Sequence, residues 1–457
     1  MGAKKWIEKF FEAPAEALEA GIEEVQGGGK ALFSKRPFKM AEEYLETLGP
    51  GLTTGAADDD PSGIATYSQT GAAYGFQFLW LSLFSFPLMA VVQEMCARIA
   101  IATGQGLAAN IRKRFPAWML YACATLLFAA NSFNLGADLG AMAKATQLLF
   151  PALNFAVVVV FFALVSLLLQ IFTTYARYAK YLKYLTLVLF AYIATAFLAH
   201  LDWHTALLHT IVPSITFSKS ELLLVCAILG TTISPYLFFW QTSQEVEEEV
   251  MKGETTVAER KRERPGKAKE IRSMRFDVWT GMFFSNAVMF FIIAACAATL
   301  YVHGITTVQS ADQAAKALEP FAGQWAYALF AIGIVGTGML AVPILAASAS
   351  YAISESFRWK TGLYRKLKDA YAFYGIIIVS MFLGLILNFI GLDPIRALIY
   401  SAVGNGLVAP VVLVFIVLLG SDKDVMGVHV NGKAATMIGW ITVALMTVAG
   451  LAVIATL

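Results

Sequence analysis

The chain has 457 residues, of which 58% are apolar and 14% charged, with 34 Lys and Arg against 32 Asp and Glu; soluble domains carry about 25% charged residues. A disordered chain would lack this apolar mass, a nucleic-acid binder would show a basic excess that a net +2 does not supply, and a soluble globule so apolar would expose large adhesive patches. A polytopic membrane protein in contact with the bilayer remains, with mean hydropathy +0.65.

Residues 1–44 mix acids and bases at helical spacing, lack the continuous apolar stretch of a signal peptide and run through Gly27–Gly29. They read as a cytoplasmic arm, a cytoplasmic or interfacial amphipathic helix followed by a Gly-rich linker. The transmembrane domain then occupies 45–457. A crossing helix needs about 20 apolar residues. On that basis eleven spans are expected: 46–73, 76–103, 117–148, 153–173, 181–200, 219–245, 275–302, 320–356, 371–391, 393–420 and 435–456. Cys96, Cys123, Cys226 and Cys296 all sit inside apolar runs without a CxxC spacing and read as buried small hydrophobes.

Lys and Arg set the orientation. With the N-terminus inside, the inner side collects 29 of the 34 basic residues. They include Arg112–Arg114, the 247–275 loop, and Arg358 to Lys368. Only Lys219, Lys316 and Arg396 fall on the outer side, and eleven spans put the C-terminus outside. The 247–275 loop is the most polar stretch and reads as a solvated cytoplasmic connector. Glu94 and Arg98 are four apart on one face of span two and read as an ion pair.

Two spans are not ordinary helices. The first reads LGPGLTTGAADDDPSGIATYSQTGAAYG, with Asp58, Asp59 and Asp60 near its middle. Each carboxylate would cost about 2.5–3.5 kcal/mol facing lipid. Pro61 removes a backbone donor and drives Asp60 out of helical geometry, so the helix is expected to break there. The sixth span, ELLLVCAILGTTISPYLFFWQTSQEV, is interrupted at Gly230–Pro235. Breaks five spans apart are the signature of an inverted repeat, spans 1–5 and 6–10, with span 11 added; such breaks meet at the midplane and hold cations on freed carbonyls. No His, Cys or Met lies in either break. The ligands are therefore hard oxygens, favouring Mg²⁺, Mn²⁺, Ca²⁺ or Na⁺ over Zn²⁺ or Cu⁺.

At these residues the chain resembles the NRAMP family of divalent-metal transporters, with a LeuT-type all-α fold. The likeness covers about 40–457 and is carried best by GPG…DDDPSGIATYSQTGAAYG and LW…QEMCARIAIATGQGLA. The family's first break usually reads Asp-Pro-Gly-Asn, its second Ala-Thr-Val-Met-Pro-His-Asn. Here Asp60 and Pro61 match, Ser62 replaces the glycine, and Gly63 replaces the metal-binding asparagine. Thr231 stands where an alanine carbonyl binds metal, Ser234 replaces the methionine that selects transition metals, and Tyr236 replaces the histidine linked to proton movement. Leu237 replaces the next asparagine, and Ala137, beside Asp138, falls about where a glutamate serves the proton route. The loss of the thioether removes discrimination against Mg²⁺, and the smaller side chains imply a wider pocket for a partly hydrated ion. The pattern is similar to the NRAMP-related magnesium transporter branch.

The resemblance implies a metal site at Asp60, Gly63, Thr231 and Ser234, with Asp59 a further candidate. Adjacent helical residues point about 100° apart, so three aspartates cannot face one ion. Asp138 in span three and Asn405 in span ten read either as water-mediated contacts or as ordinary helix–helix hydrogen bonds, and Tyr236 as a neighbour of the site. Gln241 and Thr242 read as lining the inner path or capping the second half-helix. The expected function is a Mg²⁺-preferring permease of the cell membrane that accepts Mn²⁺, uncoupled from protons, monomeric and without a cofactor. Two alternatives stay open: a proton-coupled Mn²⁺/Fe²⁺ transporter and a cation-coupled amino-acid carrier on the same fold. The sequence carries no nucleophile–base pair, HExxH or P-loop, and no enzyme activity is expected.

Overall fold

Proline and glycine decide where the first and sixth spans divide. Residues 49–173, 186–199, 201–254, 256–261, 267–308 and 310–456 are described by a computed structural model. The N-terminal arm expected over 1–44 lies outside them. Helices of eight or more residues are numbered in chain order. Span one is α1 (Pro50–Asp58) and α2 (Pro61–Tyr74), separated at Asp59 and Asp60. Then come α3 (Trp80–Thr103), α4 (Leu107–Arg114), α5 (Ala117–Leu149) and α6 (Phe155–Phe172). The described part of span five is α7 (Phe190–Leu198), followed by α8 (Trp203–Ile211). Span six is α9 (Lys219–Thr232) and α10 (Pro235–Met251). The remainder are α11 (Lys267–Cys296), α12 (Ala326–Ser356), α13 (Tyr371–Leu387), α14 (Pro394–Ser421) and α15 (Lys433–Thr456). Among the described residues there is no β-strand. Every expected span contains helix among the described residues.

The lateral surface is apolar: Phe161, Leu164 and Leu168 of α6 and Val448, Leu451 and Ile454 of α15 are exposed. The interior is also largely apolar, with Trp240, Phe238 and Met89 buried, but it admits the small and polar residues that let helices pack closely in lipid. α1 lies against α11 at backbone contact. A Cβ on Gly281 would stand 2.2 Å from the Gly51 carbonyl oxygen, and one on Gly55 2.3 Å from that of Gly281. One turn before Gly281, the Asp277 carboxylate accepts from the Gly51 amide at 2.6 Å and the Leu52 amide at 3.2 Å. These are first-turn donors that α1 cannot satisfy itself. The four cysteines are buried and free.

Two helix ends differ from expectation. α10 runs on to Met251 and α11 already starts at Lys267, so the connector read as 247–275 shortens to the residues between them. Backbone hydrogen bonding does not stop where apolarity stops. Nor is the start of that stretch solvated, because Glu247 and Glu249 are buried. Glu247 accepts from the Leu363 amide at 2.6 Å and from the Tyr351 hydroxyl. Glu355 at the end of α12 accepts from the Ala109 amide of α4 at 3.1 Å. At this same end Glu94 and Arg98 pair at 3.4 Å as expected. Glu94 also holds Arg275 and Trp279 of α11, each at 2.9 Å.

Gly281→Leu would drive a side chain into the α1 backbone, an overpacking cost typically about 1–3 kcal/mol or more. The variant is expected to lose monodispersity or melt several degrees lower in detergent; an unchanged melting temperature would show that α1 and α11 do not meet there.

Candidate metal site

Asp60 stands at the break of span one and is buried. Pro61 occupies the first helical position of α2, and Asp60 takes extended backbone angles, φ −68° and ψ 171°. It thereby becomes the N-cap of α2: its Oδ1 accepts from the Gly63 amide at 2.8 Å and the Ser62 hydroxyl at 2.6 Å. The second break repeats the device. Ser234 is extended, φ −79° and ψ 126°, with Pro235 opening α10. The Ser234 hydroxyl lies 2.6 Å from the Thr231 carbonyl oxygen and 2.9 Å from that of Gly230, oxygens left over at the end of α9.

The two breaks meet. The Ser62 and Thr231 hydroxyls are 3.3 Å apart, and those of Tyr67 and Thr232 are 3.2 Å apart. The Tyr236 hydroxyl donates to the Ala57 carbonyl, freed at the end of α1, at 2.9 Å and approaches Asp60 Oδ2 at 3.4 Å. Further along, Thr54 donates to Gln241 Oε1 at 2.5 Å, so Gln241 ties α1 to α10. Thr242 turns back to the Phe238 carbonyl of its own helix. Asp60 Oδ2 also accepts from Asn134 Nδ2 of α5 at 3.2 Å, and Asn134 Oδ1 in turn accepts from Ser401 of α14 at 2.8 Å. Asp60, Ser62, Asn134, Thr231, Ser234 and Tyr236 are all buried.

The three aspartates face two sides of the break. Asp58 Oδ2 accepts from Ser285 of α11 at 2.5 Å, and Asp59 Oδ1 lies 3.4 Å from the same hydroxyl. Asp58 and Asp59 thus turn to α11, while Asp60 turns to α5 and α10. Asp138 and Asn405 are fully buried, and neither has a hydrogen-bond partner among the described residues. Asn405 sits beside Gly406, where α14 rests directly on Gly230 of α9. Gly63 leaves no open space in this conformation. A Cβ there would meet the Asp58 carbonyl, Thr231 Oγ1 and Tyr67 Cε2, each at 3.3 Å. The widening implied by the glycine is therefore absent here, because Thr231 and Tyr67 stand against it.

Asn134, Ser401, Ser285 and Tyr67 did not emerge from the sequence. The run Asn131-Ser-Phe-Asn134 inside an apolar span was the one available signal, since amides in membrane helices seek partners. Met289 is a further surprise: its sulfur lies 3.8 Å from Thr232 Oγ1. Among the described residues no three carboxylates, imidazoles or thiolates converge. A cation at Asp60 would accordingly be held by one carboxylate and neutral oxygens.

The family model described as natural resistance-associated macrophage protein-like (Nramp) matches residues 51–456. The chain belongs to the NRAMP family. Relatives of this NRAMP chain include two proteins named divalent metal cation transporter MntH. The one from Pectobacterium carotovorum is 27% identical over 411 residues, spanning 88% of this chain and 92% of the relative. The one from Caldanaerobacter subterraneus is 26% identical over 394 residues, 84% and 87%. Among solved structures, the Eremococcus coleocola manganese transporter superposes with TM-score 0.68 at 20% identity, covering 89% of this chain and 86% of that one. A nucleobase-cation-symport-1 family transporter in a closed conformation superposes at 0.54 and 16% identity, covering 90% and 91%. The fold of this NRAMP chain is thus the LeuT type, with spans one and six broken.

Ser285→Ala removes the hydroxyl that two buried carboxylates share. Loss of a donor to a buried acceptor costs about 1–3 kcal/mol, so a lower melting temperature is expected in detergent. An unaltered melting curve would show that Asp58 does not depend on α11.

Proposed function

We propose that this NRAMP chain is a divalent-cation permease that carries Mg²⁺ by preference, accepts Mn²⁺, and works by alternating access around Asp60 without moving protons. Family membership and the names of the MntH relatives support divalent-metal transport. The observation that carries the finer reading is the shell of Asp60, whose contacts are Ser62, Gly63, Asn134 and Tyr236. They offer oxygen and nitrogen but no sulfur and no imidazole, which suits a hard cation. Asp60 Oδ2 and the Thr231 carbonyl serve as ligands, water completes the coordination, and Gly63 and Ser234 leave it room when the site opens. Asp59 remains a lesser candidate, since it turns to Ser285.

Tyr236 supports the uncoupled reading. Its hydroxyl is committed to the Ala57 carbonyl, and a phenol ionises only near pH 10, unlike imidazole near 6.5. The membrane potential then suffices as a driving force, at about 2.3 kcal/mol per charge per 100 mV and about twice that for a dication. The basic loops face the cytoplasm in this reading, with the C-terminus outside. An amino-acid carrier fits less well: the N-terminus of α2, where a substrate carboxylate would bind, is already capped by Asp60.

In proteoliposomes with an inward-negative potential, Mg²⁺ is expected to enter without internal acidification, and Asp60→Ala to abolish uptake. Metal-driven acidification would instead select the proton-coupled Mn²⁺/Fe²⁺ reading, and Mg²⁺ uptake by the Asp60→Ala variant would reject the site. Ser234→Met is expected to raise Mn²⁺ and Cd²⁺ uptake relative to Mg²⁺. An unchanged ratio in competition assays would mean that position 234 does not touch the ion.

A further inference from the structure

The Asp60 carboxylate has about four acceptor positions on its two oxygens; three donors occupy them, and the Tyr236 hydroxyl, whose hydrogen goes to the Ala57 carbonyl, only approaches the fourth. The two on Oδ1 are short, 2.6 and 2.8 Å, and come from residues two and three places along the same turn. The two contacts on Oδ2 are longer, 3.2 Å from Asn134 and 3.4 Å from Tyr236, and come from other helices. A cation therefore enters at Oδ2, where the weaker contacts yield. The N–H of Asn134 aimed at that oxygen would then point at a positive charge, so the amide must turn away or leave.

We propose that Asn134 is itself a cation ligand, held with its amide reversed until the ion arrives. The inference rests on the reading of Asp60 as the cation site. In the present state Nδ2 faces Asp60 and Oδ1 faces the Ser401 hydroxyl. Turning the amide by half a revolution presents Oδ1 to the ion and Nδ2 to Ser401. The terminal amide torsion is soft, and oxygen and nitrogen fill nearly the same space, so the fully buried side chain inverts without repacking.

Ser401 makes the inversion neutral in hydrogen bonds. Its single hydroxyl hydrogen has two acceptors in reach, Asn134 Oδ1 at 2.8 Å and the Leu398 carbonyl at 2.7 Å. With the amide as found, the hydroxyl donates to Asn134. With the amide turned, it donates to Leu398 and accepts from Asn134 Nδ2, because a hydroxyl is both donor and acceptor. No polar group between Asn134 and Ser401 is stranded in either state, and an amide oxygen is a fitting ligand for a hard dication.

The test is Mg²⁺ and Mn²⁺ uptake by the full chain in proteoliposomes. Asn134→Leu keeps the shape and removes the oxygen; KM for both ions is expected to rise about ten-fold or more, the loss of a bond to a charge. Asn134→Asp keeps an oxygen and removes every donor; KM is expected to equal that of the unsubstituted chain or fall below it. If Asn134 served only to donate to Asp60, Asn134→Asp would be at least as impaired as Asn134→Leu, and that result overturns the proposal. Should Asn134→Leu fail to fold, Asn134→Asp decides alone, read also as a retained Mn²⁺-induced rise in melting temperature. Asp60→Ala separates the two claims. Uptake surviving Asp60→Ala overturns the cation site, whereas uptake lost there but unchanged KM in Asn134→Leu overturns the role of Asn134 only.

Discussion

A carboxylate in the middle of a bilayer has to be surrounded by donors, and the architecture of this chain follows from supplying them to Asp60. A continuous helix has no spare backbone amides at its midpoint. Breaking span one at Pro61 creates a helix start, and with it the free Gly63 amide that Asp60 accepts from. The same break strands carbonyls at the end of α1, one of which takes the Tyr236 hydroxyl from the second broken span. The break is therefore the means by which buried charge becomes tolerable, and it leaves a ring of oxygens where a cation would be welcome.

The scaffold that holds the half-helices is built from close approach. A nine-residue helix such as α1 is too short to stand alone in water. Gly51, Gly55 and Gly281 let its backbone lie on α11, and Asp277 satisfies its first amides. Asp58 and Asp59 then fasten its far end to the same helix through Ser285. Two of the three aspartates thus serve the position of α1, and the third alone is left to face the other broken span.

The breaks were legible in the sequence because proline and consecutive carboxylates are costly in lipid and leave no cheaper explanation. The eleven helical segments were legible for a similar reason, since apolar length is what a bilayer demands. The partners of Asp60 on α5 and α14 were not. Asn134 is 74 residues from Asp60 and Ser401 is 267 from Asn134, and no local spacing connects them. The extent of the 247–275 connector was misjudged because charged helical turns continue past the apolar boundary, where Glu247 finds Tyr351 and Leu363. The space at Gly63 was not legible because a glycine adds room only where its neighbours stand clear, and here Thr231 and Tyr67 lie against it.

The asymmetry of the Asp60 contacts bears on how an ion could be both bound and released. Oδ1 is held by its own turn, so the carboxylate keeps its position whatever occupies the site. Oδ2 is held by α5 and α10, helices from the two halves of the repeat. An ion at Oδ2 must take the place of both contacts, which couples occupancy to the packing of those helices against the break. On the proposed reading the Asn134 donor returns to the position as the ion departs, so the carboxylate is not left bare in the apolar interior, where an unpaired charge would be most costly. A transporter needs the empty site to be nearly as stable as the loaded one, or the return step stalls. A neutral donor that yields to the ion and returns after it would meet that need without a proton, which is what the proposed uncoupled cycle requires.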